Sequence, residues 1–179
     1  METFGYVIDI TAMVLLYLGF FMPKWRARGR ESLIAGTLMY VYLCGVIYFT
    51  LMPVFLSLPR VITGPRGTIN MHPFRDLLMG YGDYWRQIAL NILMTVPLGI
   101  LYPISRGRMR FGTTVTLGFL FSLWVEFMQP MLHVHRCFDV TDIITNTLGT
   151  ALGFAALLAL KPVFALVFPE TLGTKRGRN

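Results

Sequence analysis

The segment FGTTVTLGFLFSLWVEFMQPMLHVHRCFDVTDIITNTLGTALGFAALLAL, residues 111–160, decides the fold. Two strongly apolar runs meet at a short turn, and around it lie Glu126, Gln129, Arg136, Asp139, Asp142 and Asn146. An ionisable group at mid-bilayer costs about 2.5–3.5 kcal/mol on insertion scales unless it pairs or faces water. Such groups are kept where protein or a ligand compensates them, so this cluster is the first candidate for a functional site. With 3.6 residues per turn, Asp139, Asp142, Asn146, Gly149 and Gly153 share one narrow stripe of the second helix. Glycines four apart let another backbone approach closely, so the stripe is expected to pack along its whole length on a neighbour. The short turn makes the preceding helix that neighbour, running antiparallel. At about 1.5 Å per residue, Glu126 lies about 9 Å below the turn. Asp142 and Asn146 lie about 6 and 12 Å below it if the second helix starts near Phe138, so all three are level. Gln129 reaches the same site from one turn above, and Arg136 and Asp139 form the rim.

Around this segment the chain has membrane composition. It has 179 residues, 55% of them hydrophobic, with only 14% charged and a mean hydropathy of +0.59. Soluble domains carry about 25% charged residues. Five apolar runs approach the ~20 residues a spanning helix needs: Phe4 to Met22, Ser32 to Leu58, Gln87 to Ile104, Phe111 to Leu132 and Ile143 to Phe168. The fold class is therefore all-α, an integral membrane bundle of about five helices over residues 1–173, with a disordered tail at 174–179. The third run is the shortest and contains Pro97 and Gly99. Pro53 marks a kink or early exit in the second, and Lys161-Pro162 a break in the fifth. The first run has no basic residue ahead of it and no small-residue cleavage site behind it, so it is read as a retained span.

A net charge of +7 could point to nucleic acid. The basic residues, however, sit in short clusters between apolar runs, which is the pattern of membrane-flanking loops. Eleven of them, including Lys24, Arg26, Arg28, Arg106, Arg108, Arg110 and Lys161, fall on one side of the deduced topology. Five (Arg60, Arg66, Arg75, Arg86 and Arg136) fall on the other. The positive-inside rule then places the C-terminus in the cytoplasm, and the N-terminus and the acidic cluster outside.

The one long connection, Pro59 to Arg86, opens with turn chemistry at Gly64-Pro65-Arg66-Gly67. Phe74, Leu77, Leu78, Tyr81, Trp85 and Ile88 then form an amphipathic stripe suited to the headgroup zone, broken in two by Gly80 and Gly82. This interfacial helix either seals the bundle or forms a lid over the site. Asn91 and Thr95 share a face of the third helix, for helix–helix hydrogen bonding or for the site. Asp9 lies near the outer boundary, where water can reach it. His133 and His135 match no metal-ligand spacing, and no metal or cofactor is expected. Cys44 and Cys137 read as free thiols, although the topology permits a bond between them. Three carboxylates face one arginine in the cluster, so balance needs a proton on one of them, Glu126 being the deepest, or a cationic group. Arg75 and Arg86 are the nearest other cations in sequence.

Asn70-Met71-His72-Pro73-Phe74, Asn91-Ile92-Leu93 with Pro97-Leu98-Gly99, Glu126-x-x-Gln129 and Arg136-x-x-Asp139-x-x-Asp142-x-x-x-Asn146-x-x-Gly149 together resemble the VanZ-like family, over roughly Leu33 to Leu160. Met94-Thr95-Val96 departs from it, because the family usually carries an aromatic residue before Pro-Leu-Gly; the departure bears on packing of the third helix. The resemblance implies a membrane protein of the bacterial envelope with a link to teicoplanin-type lipoglycopeptides. The candidate ligand-binding residues are Glu126, Gln129, Arg136, Asp139, Asp142 and Asn146 of the cluster, with Asn91, Asn70, Phe74 and Arg75.

Four functions compete. One is binding of an amphiphilic ligand, a lipoglycopeptide or lipid-linked cell-wall precursor, whose polar head meets the cluster while its chain lies among membrane lipids. Another is an enzyme on lipid headgroups or cell-wall precursors, with Glu126 and Asp139 or Asp142 dividing acid and base roles; no activated Ser or Cys nucleophile accompanies them. The others are a purely structural polar network and a transporter, the latter disfavoured by the lack of an inverted repeat.

Overall fold

The computed structural model describes residues 2–62, 68–80, 82–133 and 136–172. Among these, five helices are long and apolar enough to cross a bilayer: Thr3–Arg26, Arg30–Thr50, Tyr84–Arg106, Phe111–Leu132 and Val140–Ala159. Lengths of 20 to 24 residues correspond to about 30–36 Å, the thickness of the hydrocarbon core. The first is built from α1 (Glu2–Leu16), a π-helical turn (Tyr17–Phe21) and α2 (Met22–Arg26). The others are α3 (Arg30–Thr50), α6 (Tyr84–Arg106), α7 (Phe111–Leu132) and α8 (Val140–Ala159). Between and after them come α4 (Val54–Ile62), α5 (Arg75–Met79), α9 (Lys161–Val167) and α10 (Pro169–Leu172). Val41, Phe49 and Leu93 point outward, 62%, 77% and 65% exposed. A protein in water would bury such side chains; here they meet lipid.

The core of the bundle is α6, α7 and α8. The small-residue stripe of α8 packs chiefly on α6, which runs parallel to it, and not on α7 as the turn geometry suggested. A Cβ at Gly149 would collide with Thr95 Oγ1 and the Ile92 carbonyl. One at Gly153 would strike the Val96 carbonyl, and one at Gly99 the Thr150 carbonyl. Backbones this close leave no room for a side chain on α8 at these two positions, and Gly99 on α6 stands opposite Gly153. Thr95 fits this contact: it is 1% exposed, and its hydroxyl donates to the Asn146 carbonyl at 2.7 Å. α7 meets α8 on a separate face, antiparallel, with Gly118 against the Thr150 side chain and Ser122 against Asn146. Threonines inside α8 satisfy their own hydroxyls, Thr145 donating to the Thr141 carbonyl (2.9 Å) and Thr147 to that of Ile143 (2.7 Å).

Several expectations change. The third span is not the shortest: α6 starts at Tyr84 and has 23 residues, absorbing the second half of the amphipathic stripe, while α8 has 20. The second span exits early at Thr50, and a cis Met52–Pro53 peptide leads into α4. Asp9 does more than meet water. Its carboxylate accepts the Val54 N–H (2.6 Å) and the Phe55 N–H (3.1 Å), so α1 supplies the N-terminal cap of α4. The fifth span stops at Ala159, and α9 begins at Lys161-Pro162 as the break predicts. Gly80 and Gly82, with φ of 67° and 69°, end α5 and separate it from α6. Not everything is helical: Ile69–Asn70 (β1) and Phe138–Asp139 (β2) pair in parallel. The turn at 64–67, Tyr81, His135 and the tail at 174–179 lie outside the described residues.

The helices alternate, so Arg26, Arg30, Arg106, Arg110 and Lys161 gather at one end of the bundle, and Glu126, Asp139 and Asp142 lie toward the other. At the basic end Phe168 and Leu172 pack with Ala35, Ile104 and Leu157. There Glu31 accepts the backbone N–H groups of Glu170 (2.7 Å) and Thr171 (3.0 Å), fastening α10 to the start of α3.

The glycine contact makes a direct prediction. Gly153→Val drives a branched side chain into backbone that cannot yield, at a cost above the ~1–3 kcal/mol of ordinary overpacking. The variant loses its monodisperse peak in detergent size-exclusion chromatography. Gly45→Ala, at a glycine with nothing within 4 Å of its added Cβ, is neutral or up to about 1 kcal/mol stabilising in thermal unfolding.

Candidate functional site

The polar cluster forms because α7 and α8 run in register. Four residues along one helix match four residues back along the other, so Gly118 faces Thr150 and Ser122 faces Asn146. One further turn brings Glu126 level with Asp142, as the depth estimate from the turn requires. The Glu126 carboxylate accepts the Asp139 N–H at 3.1 Å, and the side chain is only 2% exposed.

Asp139 closes the top of α8. One carboxylate oxygen accepts the Thr141 N–H (2.7 Å), the side-chain cap of a helix N-terminus. The other accepts the Asn70 Nδ2–H (2.9 Å) across the β1–β2 pair. The Asn–Pro–Phe element is thereby tied to the cluster from 69 residues away. Phe74 follows in a left-handed conformation, φ 55°, which is strained for a bulky residue. Its N–H donates to Thr141 Oγ1 at 2.9 Å, so the first turn of α8 holds this backbone in place.

From α6, Asn91 Nδ2 donates to Asp142 at 2.6 Å. Asn146, 2% exposed, joins three helices: its carbonyl accepts from Thr95 on α6, and its Nδ2 donates to Ser122 Oγ on α7 at 2.9 Å. Its Oδ1 is buried without a hydrogen-bond partner among the described residues. Gln129 is buried on α7, 6% exposed.

The expected residues divide into three groups. Glu126, Asp139, Asp142, Asn146, Asn91 and Asn70 are brought together, with Gln129 buried one turn above Glu126. Phe74 joins Asp139 and Asp142 at an opening between α5, α6 and α8 that Asp76, Tyr84 and Thr141 also line. Its volume is about 20 Å³, room for about one water molecule or an ammonium group. Arg75 does not enter the cluster, whereas Arg136 stands at its rim, where its charge reaches the Glu126 and Asp142 carboxylates. Arg75 is exposed and lines a different surface depression with His72 and Met79. Arg136 is exposed too, and the ion pair among the described residues is Arg86 with Asp83, both on the surface. His133 turns away, its Nε2 3.2 Å from the Met52 carbonyl. Cys44 and Cys137 are free thiols.

Sequence reasoning missed Ser122, Thr141 and Thr145. Ser122 was available from spacing, because Gly118, Ser122 and Glu126 recur every four residues. Thr141 was not, because its partner Phe74 is distant in sequence and bonds through its backbone.

Two substitutions measure this network. Asp139→Ala removes the α8 cap and costs about 0.5–2 kcal/mol in unfolding, whereas Asp139→Asn keeps the cap and most of the stability. Ser122→Ala deprives Asn146 Nδ2 of its partner where Oδ1 already lacks one, and costs about 1 kcal/mol.

Comparison with known proteins bears on the family of the chain. The family model described as VanZ/LLP1 matches residues 10–161. Protein VanZ of Enterococcus faecium is 25% identical over 122 residues, which cover 68% of this chain and 72% of that protein. No solved structure matches. With five spanning helices and a family match over most of its length, the chain is a multi-pass membrane protein that belongs to the VanZ/LLP1 family.

Proposed function

We propose that this protein lowers sensitivity to teicoplanin-type lipoglycopeptides by holding an amphiphilic ligand at the acidic end of the bundle, which faces the cell exterior. The N-terminus is then outside and the C-terminus cytoplasmic, consistent with the basic residues at the opposite end. Residues 1–173 act as one transmembrane unit. One observation carries the reading: Asp139 and Asp142 line an outward opening of about 20 Å³. An opening that small admits an ammonium group, not a whole headgroup. The rest of the ligand lies on the adjoining surface, where Leu78 and Trp85 are 82% and 65% exposed, and its acyl chain enters the lipid. Arg136 and Arg75 stand outside the opening, free to meet anionic groups of the same ligand.

The chemical alternative, a membrane enzyme using Glu126, Asp139 and Asp142, has less to rest on. Glu126 is bound to the Asp139 amide and does not line the opening. A structural reading has a specific observation in its favour: Asp139, Asp142 and Glu126 each accept a hydrogen bond from within the cluster. The charge of Asp142 separates the two readings, because Asn at 142 can still accept from Asn91.

In a susceptible host expressing the protein, resistance to teicoplanin rises while that to vancomycin, which lacks the acyl chain, does not. Asp142→Asn abolishes the rise at unchanged protein level. Protection that survives this substitution supports the structural reading, and equal protection against vancomycin overturns recognition of the lipid chain.

A further inference from the structure

At the basic end two cavities run together. One, about 360 Å³, is lined by Arg28, Arg106, Arg108 and Arg110 with Tyr102, Ser105 and Thr113. The other, about 590 Å³, runs between α3, α6 and α7 and is walled by Leu43, Leu98, Leu117, Phe121, Trp25 and Trp124 among others. Arg28, Tyr102, Ser105 and Arg106 line both. An arginine-rimmed mouth therefore opens directly into an apolar groove on the membrane face of the bundle.

The backbone builds the mouth. α6 ends at Gly107, whose φ of 63° turns the chain back, and the Arg108 N–H donates to the Pro103 carbonyl at 3.2 Å. Met109 packs against the buried cluster at this end, so its exposed neighbours Arg108 and Arg110 project away from it. None of the four arginines is within 4 Å of a carboxylate among the described residues, where the ion pair is Arg86 with Asp83. The carboxylates at this end are Glu31 and Glu170, and Glu31 is occupied by the amides of Glu170 and Thr171. Among the described residues no carboxylate pairs with the mouth. Guanidinium groups match phosphate oxygens in charge and geometry, and basic pockets between membrane helices on the cytoplasmic side bind phospholipid headgroups.

We infer that this composite cavity is a binding site for an anionic glycerophospholipid, with the phosphate among Arg28, Arg106, Arg108 and Arg110 and an acyl chain in the groove between α3, α6 and α7. Its placement in the cytoplasmic leaflet rests on the orientation proposed above; the occupancy itself does not.

The chain has three tryptophans, and Trp25 and Trp124 line the groove. Trp85→Phe therefore leaves a reporter of the groove alone. This variant is reconstituted in mixed phosphatidylcholine–phosphatidylglycerol vesicles, with bromine on the acyl chains of either lipid in turn. The lipids occupy both leaflets, so the result does not depend on orientation. Brominated phosphatidylglycerol is expected to quench several-fold more than brominated phosphatidylcholine at equal mole fraction. The preference falls by roughly fivefold for each of Arg106→Gln and Arg108→Gln, and millimolar inorganic phosphate leaves it unchanged. Equal quenching by the two lipids overturns the proposal without any arginine variant. So does a preference that survives both substitutions, or one that free phosphate abolishes.

Discussion

The close approach of α6 and α8 is the constraint on which the rest depends. Gly99, Gly149 and Gly153 bring two parallel helices to backbone contact, and Thr95 closes the gap by donating to the Asn146 carbonyl. Lipid offers no hydrophobic drive for helices to associate, so tight packing and interhelical hydrogen bonds must hold them. With α6 and α8 locked, α7 has a single register through Gly118 and Ser122. That register delivers Glu126 to the level of Asp142. The polar site is thus a consequence of how the glycines are spaced, several turns deeper in the membrane.

Much of this was legible in the residues. The apolar runs gave the helices, Lys161-Pro162 the end of the fifth, and the stripe from Asp139 to Gly153 the buried face of α8. The stripe's partner was not legible. A short turn guarantees that α7 and α8 are neighbours, but not that they share the glycine face, which instead meets α6 at Ile92 and Thr95 opposite Gly149 and at Val96 and Gly99 opposite Gly153. Long-range capping was equally hidden. Asp9 caps α4 from 45 residues away, and Glu31 caps α10 from 139 residues away. Neither follows the local spacing by which caps are recognised. The β1–β2 pair is too short to carry a period of its own, and the Asn70 amide bonds the Asp139 carboxylate across it.

Site composition reflects the same physics. Carboxylates beside lipid persist because each accepts a hydrogen bond: Glu126 from the Asp139 amide, Asp139 from Thr141 and Asn70, Asp142 from Asn91. Arg136 remains exposed at the rim, its charge still felt by Glu126 and Asp142, and Arg75 lies on the surface. Negative charge is left over at one end of the bundle and positive charge at the other, each beside exposed apolar surface. A molecule that is both charged and greasy suits either end, with opposite sign.

The most direct test uses Cys137, exposed beside the cluster, in a Cys44→Ser background. Partial burial, and then the nearby Asp139 and Asp142 carboxylates, push its thiol up, so its thiolate fraction grows as pH rises and labelling belongs at mildly alkaline pH. The account predicts that a membrane-impermeant maleimide modifies Cys137 in intact cells, and that teicoplanin slows the reaction while vancomycin does not. Modification only after the membrane is permeabilised, or a rate indifferent to both antibiotics, would contradict it.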